Sequence, residues 1–162
     1  MKKTVYYWSP CLTKVGTVKS TLNSAIALAK FNSNFEVRII NVFGEWTQYE
    51  EYLKKNNVKI KNLIFNYKKI LPKYGFLQSR ISYLVIMIIS FLPLLILLKK
   101  NKPDYLIIHL ITSLPLILYN FFSFKTKIIL RISGYPKFNY LRKTLWKRSN
   151  KIIYKITSPT TE

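Results

Sequence analysis

The sequence predicts an α/β fold: a Rossmann-like parallel sheet with helices on both faces. Three observations predict it. Short apolar runs of strand length alternate with helical patterns along the whole chain. All four glycines, Gly16, Gly44, Gly75 and Gly134, fall between those segments. Of the 162 residues 49% are hydrophobic, enough to bury the core of one domain. Such alternation argues for parallel strands joined by right-handed crossovers. No repeat or low-complexity linker divides the chain, so 1–162 reads as a single domain.

Taken in order, Thr4 to Trp8 is a β-branched and aromatic run closed by Ser9-Pro10. A loop carrying Gly16 follows. Val18, Leu22, Ala25, Ile26 and Ala29 then recur at helical spacing, with Thr17 placed as the N-cap. Phe35 to Val42 reads as a second strand, ended by Gly44. Thr47 is placed to cap a helix running to about Asn56, and Glu50 would complete a capping box. Val58 to Phe65 is a third strand. Beyond a long middle segment, Pro103-Asp104 opens the strand Tyr105 to His109. Thr112 or Ser113 then caps a helix through about Phe122. Thr126 to Ile132 is a strand, Tyr140 to Arg148 a basic helix, and Lys151 to Thr157 a last strand. Ser158-Pro159-Thr160 reads as the opening of another helix, which points to half of a larger protein.

The middle segment, Ile81 to Leu98, holds no charged residue over 18 positions. As a helix it would be roughly 27 Å long, just short of a bilayer's hydrocarbon core. Lys68, Lys69, Lys73 and Arg80 precede it and Lys99, Lys100 and Lys102 follow, so basic residues give no orientation. Three readings compete. A transmembrane span would split the sheet; a helix buried in the domain is the second. The third is a helix that packs on the sheet and dips its other face into the bilayer surface, which the basic flanks favour. Residues 81–98 are therefore expected to form a membrane-facing helix.

Charge is extreme, with 27 Lys and Arg against 6 Asp and Glu, a net +21. A field of that sign attracts phosphates, anionic lipid or nucleic acid. Most of the basic residues are Lys, beside abundant Ile, Asn, Phe and Tyr, as an AT-rich coding sequence would also produce. Cys11 is the only cysteine, which excludes an internal disulfide and fits a reducing compartment. With no base nearby it reads as a small buried side chain rather than a nucleophile. Met1-Lys2-Lys3 leads into an apolar stretch broken by Pro10 and Lys14, without a small-residue cleavage site. That is no signal peptide, and the chain is expected to face the cytosol.

One His and one Cys exclude a zinc site, and no Walker or G-x-G-x-x-G motif is present. The aromatics do not alternate with the basic residues, so nucleic acid rests on charge alone and is not an expected partner. Three places carry candidate chemistry. Gly16, with Thr17 behind it, lets backbone approach a ligand at the mouth of the first helix; a plain turn glycine is the competing reading. His109, the only histidine, ends a strand at the edge where open α/β sheets bind ligands. A neutral imidazole there would accept a proton from an acceptor hydroxyl, against the ordinary structural role of a lone His. Arg131 with Ser133 and Gly134 forms the third place, an anion site at a strand end, against a packing role for the Arg.

These pieces resemble a known family. Tyr7-Trp8-Ser9-Pro10 leading to Val15-Gly16-Thr17, then Val42-Phe43-Gly44-Glu45, Lys102-Pro103-Asp104 before His109, and Arg131-Ile132-Ser133-Gly134-Tyr135-Pro136 are similar to the N-terminal, acceptor-binding half of glycosyltransferase family 4. The likeness runs in order through nearly the whole chain. It implies one half of a GT-B arrangement of two Rossmann-like domains. It also implies an enzyme moving a sugar from a nucleotide-sugar to a glycan or lipid-linked acceptor in cell-surface polysaccharide synthesis. The resemblance maps Gly16 onto a loop that approaches the donor phosphates or the acceptor, and His109 onto a His that contacts the reacting sugar in some members. With the residue reading above, His109 is the expected catalytic residue, and Gly16, Thr17, Arg131, Ser133 and Gly134 are the expected substrate-binding residues. It implies no cofactor and no metal, with the nucleotide-sugar as co-substrate. The donor-binding C-terminal domain is absent from the 162 residues, so the chain is expected to be inactive alone and to need a chain carrying that domain. It is expected to sit peripherally on an anionic membrane surface, on the cytoplasmic side. The alternative is a non-catalytic basic membrane-associated binding module.

Overall fold

The structure is a computed structural model and describes residues 2–11, 16–63, 76–109, 114–132 and 140–158. Six strands form one sheet: β1 (Lys3–Trp8), β2 (Phe35–Asn41), β3 (Lys59–Asn62), β4 (Tyr105–His109), β5 (Lys127–Arg131) and β6 (Ile153–Thr157). Among the described residues five helices accompany it: α1 (Gly16–Phe31), α2 (Glu50–Lys55), α3 (Phe76–Asn101), α4 (Leu114–Phe121) and α5 (Tyr140–Ser149). Every neighbouring pair of strands runs parallel, in the order β3-β2-β1-β4-β5-β6. This is the α/β, Rossmann-like arrangement the alternation predicts.

The order reverses between β1 and β4. From β1 the chain winds one way through α1 and α2, and from β4 it winds the other way through α4 and α5. Right-handed crossovers then put the two sets of helices on opposite faces. The core divides accordingly. Val5, Tyr7, Val37 and Ile39 of the sheet meet Val18, Leu22 and Ala25 of α1 and Leu53 of α2. On the other face Tyr6, Trp8, Leu106, Ile108, Ile128 and Leu130 meet α3 and α4, with Trp146 of α5 at the margin. Strands buried on both faces read as continuous apolar runs, which is why β1, β4 and β5 are plain in the sequence.

Local details differ from the sequence expectation at four points, one being the last strand, which starts at Ile153 rather than Lys151 because Asn150–Ile152 forms a 3-10 turn. The capping box at Thr47 does not form: Thr47–Tyr49 is a 3-10 turn, and α2 begins at Glu50 without a side-chain cap. The Thr47 hydroxyl instead accepts from Asn41 Nδ2 at 3.2 Å, because Asn41 also receives the Trp46 amide and pulls this turn onto the sheet edge. Thr17 lies inside α1, which starts at Gly16, so it is not the N-cap. The third strand covers Lys59–Asn62, leaving Val58 and Leu63 outside it; the expected Ile64 and Phe65 lie outside the described residues. The predicted caps Thr112 and Ser113 lie outside the described residues. At its far end α2 is closed by Asn57, whose φ of 58° is left-handed. Val58 and Asn57 then donate to Leu53 and Lys54 carbonyls, a Schellman arrangement sealed by the buried Leu53–Val58 pair.

Helix α3 is the longest element, 26 residues with Pro93 inside it. At about 1.5 Å per residue it is about 39 Å long, whereas a five-residue strand spans about 17 Å. It buries Ile86, Ser90, Leu94, Leu97 and Leu98 against the sheet. Its opposite side carries Ile81, Leu84, Ile88, Leu92 and Ile96, all exposed, with Ile88 at 66% and Leu92 at 61%. This departs from the reading of a wholly buried helix. Among the described residues α3 is the one helix long and apolar enough to cross a membrane by length and composition, with a mean hydropathy of 2.8 over an 18-residue window within Arg80–Asn101. The helix lies on the sheet with one side and leaves an apolar ridge on the other.

Candidate functional site

The order reverses between β1 and β4, and it is at the carboxyl ends of the strands beside such a reversal that open α/β sheets place ligands. β1 ends at Trp8 beside Ile108, and His109 lies directly across β5's Arg131 in the register. Alternation along each strand puts Tyr7, His109 and Arg131 on the same face of the sheet. The Tyr7 and His109 rings stand 6.0 Å apart at 34°. The sequence made no claim on Tyr7 as a functional residue. Only the pairing of β1 with β4 brings it to His109, across about a hundred residues of chain.

His109 is 6% exposed, and its Nε2 is buried without a hydrogen-bond partner among the described residues. Burial, and then the Arg131 guanidinium, push its pKa down to about 4. The imidazole is therefore neutral at physiological pH and retains a free nitrogen. Burial also raises the Tyr7 phenol, although Ser24 and the Arg131 charge oppose that. Tyr7 Oη lies 3.1 Å from Ser24 Oγ of α1. The phenol therefore stays protonated and fixed to the helix.

A second set of polar contacts ties the end of β1 to the first turn of α1. The Thr21 hydroxyl donates to the Thr17 carbonyl at 2.8 Å and lies 3.0 Å from Ser9 Oγ. Ser9 Oγ in turn lies 3.5 Å from the buried Cys11 Sγ. Cys11 is thus a buried residue in this network. These contacts hold the first turn of α1, where Gly16 and Thr17 lie, beside the end of β1. Gly16 is exposed, and a methyl added there would meet nothing within 4 Å, so packing does not require glycine.

The structure thus brings His109 and Arg131 together, adds Tyr7, and sets Gly16 and Thr17 at the start of α1 on the neighbouring strand's helix. Ser133 and Gly134 lie outside the described residues. At the end of β2, Glu45 is a further buried acid that the chemistry reading passed over. Its carboxylate accepts from the Val42 amide at 3.0 Å and the Phe43 amide at 2.9 Å, which shapes that strand end. Among the described residues no three His, Cys, Asp or Glu side chains gather to hold a metal. The arrangement offers a neutral hydrogen-bonding imidazole next to a cation, which suits a ligand carrying both hydroxyl and phosphate groups.

No protein-family model matches the chain, and no curated protein matches it either.

Proposed function

We propose that the chain is the acceptor-binding half of a glycosyltransferase that moves a sugar from a nucleotide-sugar to a glycan or lipid-linked acceptor in cell-surface polysaccharide synthesis. The observation that carries this reading is His109 beside Arg131 at the point where the strand order reverses. A neutral imidazole with a free nitrogen serves a sugar hydroxyl, and a guanidinium matches a phosphate. Gly16 and Thr17 offer backbone at the mouth of α1. The resemblance to glycosyltransferase family 4 supports the same assignment. The nucleotide-sugar is the co-substrate, and the reading needs no metal. Stabilising a departing diphosphate needs a donor-binding half, so the partner is a chain or domain that supplies it. The ridge of α3 supports peripheral attachment to the cytoplasmic face of an anionic membrane.

The test joins this chain to a donor-binding domain and measures transfer from labelled nucleotide-sugars to lipid and glycan extracts. His109→Ala and Arg131→Ala are expected to lower transfer by about a hundredfold while circular dichroism stays unchanged. Transfer by the 162-residue chain alone, or full activity in both variants, would sink the proposal. The second reading, a non-catalytic membrane module, is favoured by the α3 ridge, which needs no cleft. Tight vesicle binding with no response to nucleotide-sugars beside a donor domain would select it.

A further inference from the structure

The end of the sheet opposite His109 carries a cavity of about 700 Å³. It lies between the end of α4, the start of β5 and the start of β6. Lys125, Lys127 and Lys151 line it, and no acidic residue does. Asp104 is the only acid between Tyr52 and Thr161, and its carboxylate is held by the Thr4 amide at 2.7 Å and hydroxyl at 3.2 Å. The ion pairs of Glu36 with Arg38 and Lys59 lie on β2 and β3, toward the other edge of the sheet.

In place of carboxylates, two cations at this end rest on rings. Lys127 Nζ lies 4.6 Å from the centre of the Tyr154 ring. Lys99 Nζ, at the end of α3, lies 5.2 Å from that of Phe122, which also lines the cavity. Thr126 adds a buried hydroxyl with no partner among the described residues. Ammonium groups without counter-charges suit a phosphate, and aromatic walls suit the apolar chain attached to it. Lys99 lies about one turn beyond Ile96, the last member of the outward ridge of α3, so its contact with Phe122 sets the end of that helix beside the cavity.

We infer that this cavity seats the phosphate ester of an anionic membrane phospholipid, a site separate from the residues gathered at His109. The inference rests on the peripheral placement of α3 proposed above. The membrane is the source because the cavity lies beside the end of the helix that carries the apolar ridge, whereas a free phosphate ester would make no use of that neighbour.

The full 162-residue chain is treated with an amine-acetylating reagent, and each lysine's reactivity is read by mass spectrometry. The additions are phosphatidylcholine vesicles, vesicles that also hold phosphatidylglycerol, or soluble glycerol 3-phosphate. Lys125, Lys127 and Lys151 are expected to be protected by the phosphatidylglycerol vesicles alone, while Lys19 and Lys30 of α1 stay reactive. A Lys125→Gln/Lys127→Gln/Lys151→Gln variant should partition onto those vesicles roughly a hundredfold more weakly, at about fivefold per lysine. Lys2→Gln/Lys19→Gln/Lys30→Gln, with the same net charge, should lose far less. Equal losses in the two variants would mean that net charge alone binds the membrane and would overturn the site. Equal protection by glycerol 3-phosphate would overturn the membrane source. An Ile88→Glu/Leu92→Glu variant separates the two readings. If it still binds vesicles with the three lysines protected, the ridge reading fails and the cavity stands. If the lysines stay reactive on vesicles that the intact ridge binds, the cavity fails.

Discussion

At the scale of single residues, His109 enters the folded chain only in its neutral form. Its pKa is 6.5 when unfolded and about 4 when folded. Between those values the unfolded chain binds more protons, so stability falls as pH drops from about 6.5 to about 4. Above that window the full stability is present. The loss amounts to about 3 kcal/mol over the window. Denaturant unfolding at neutral and acid pH reads it, and His109→Gln is expected to flatten the slope. Glu36, held below its ordinary 4.5 by Lys59 and then Arg38, acts in more acid solution and remains in both proteins. Gly16 gives the opposite kind of expectation. A methyl there touches nothing and alanine is the better helix former by up to about 1 kcal/mol. Gly16→Ala should therefore leave the thermal midpoint unchanged or raise it. A loss of ligand binding in that stable variant would mark backbone approach to the ligand as its role.

Among the elements, α3 has a division of labour that follows from its two sides. Leu94 is fully buried against the sheet, and Leu94→Ala is expected to cost about 3 kcal/mol in denaturant unfolding. Ile88, on the outward ridge, should tolerate Ile88→Ser within about 0.5 kcal/mol yet bind vesicles less well. Flotation and unfolding measured on the same two variants check both statements. The edge strands follow a different logic. β3 carries Lys59 and Lys61, and β6 carries Lys155. Charges on an edge discourage pairing with another chain.

Over the whole molecule, β1 and β4 occupy the middle of the sheet and are hydrogen-bonded on both sides. Amide exchange should therefore be slowest at Tyr6, Tyr7, Ile107 and Ile108 and fastest in β3 and β6, where one side of each strand is open. Uniform exchange across the six strands would contradict this placement. The order also explains how much was legible. Apolar runs bounded by Pro, Gly and Asn are local signals, and they mark β1, β4, β5 and α5 within a residue or so. The capping box at Thr47 was a local pattern too, but Asn41 competes for the same hydroxyl from a strand end.

By itself, the sequence determined the alternation of strands and helices, and with it the fold class, because periodicity and turn residues act within a few positions of one another. It also determined which residues could bear chemistry, since the chain holds one histidine and one cysteine. The tertiary structure alone decided which residues meet. Tyr7 joins His109, and Asp104 receives the Thr4 amide, because strand order is set by crossover handedness and packing rather than by any local pattern. It alone decided which side of α3 is buried. Ile and Leu line both sides of that helix, so its hydropathy carries no contrast, and only contact with the sheet distinguishes them.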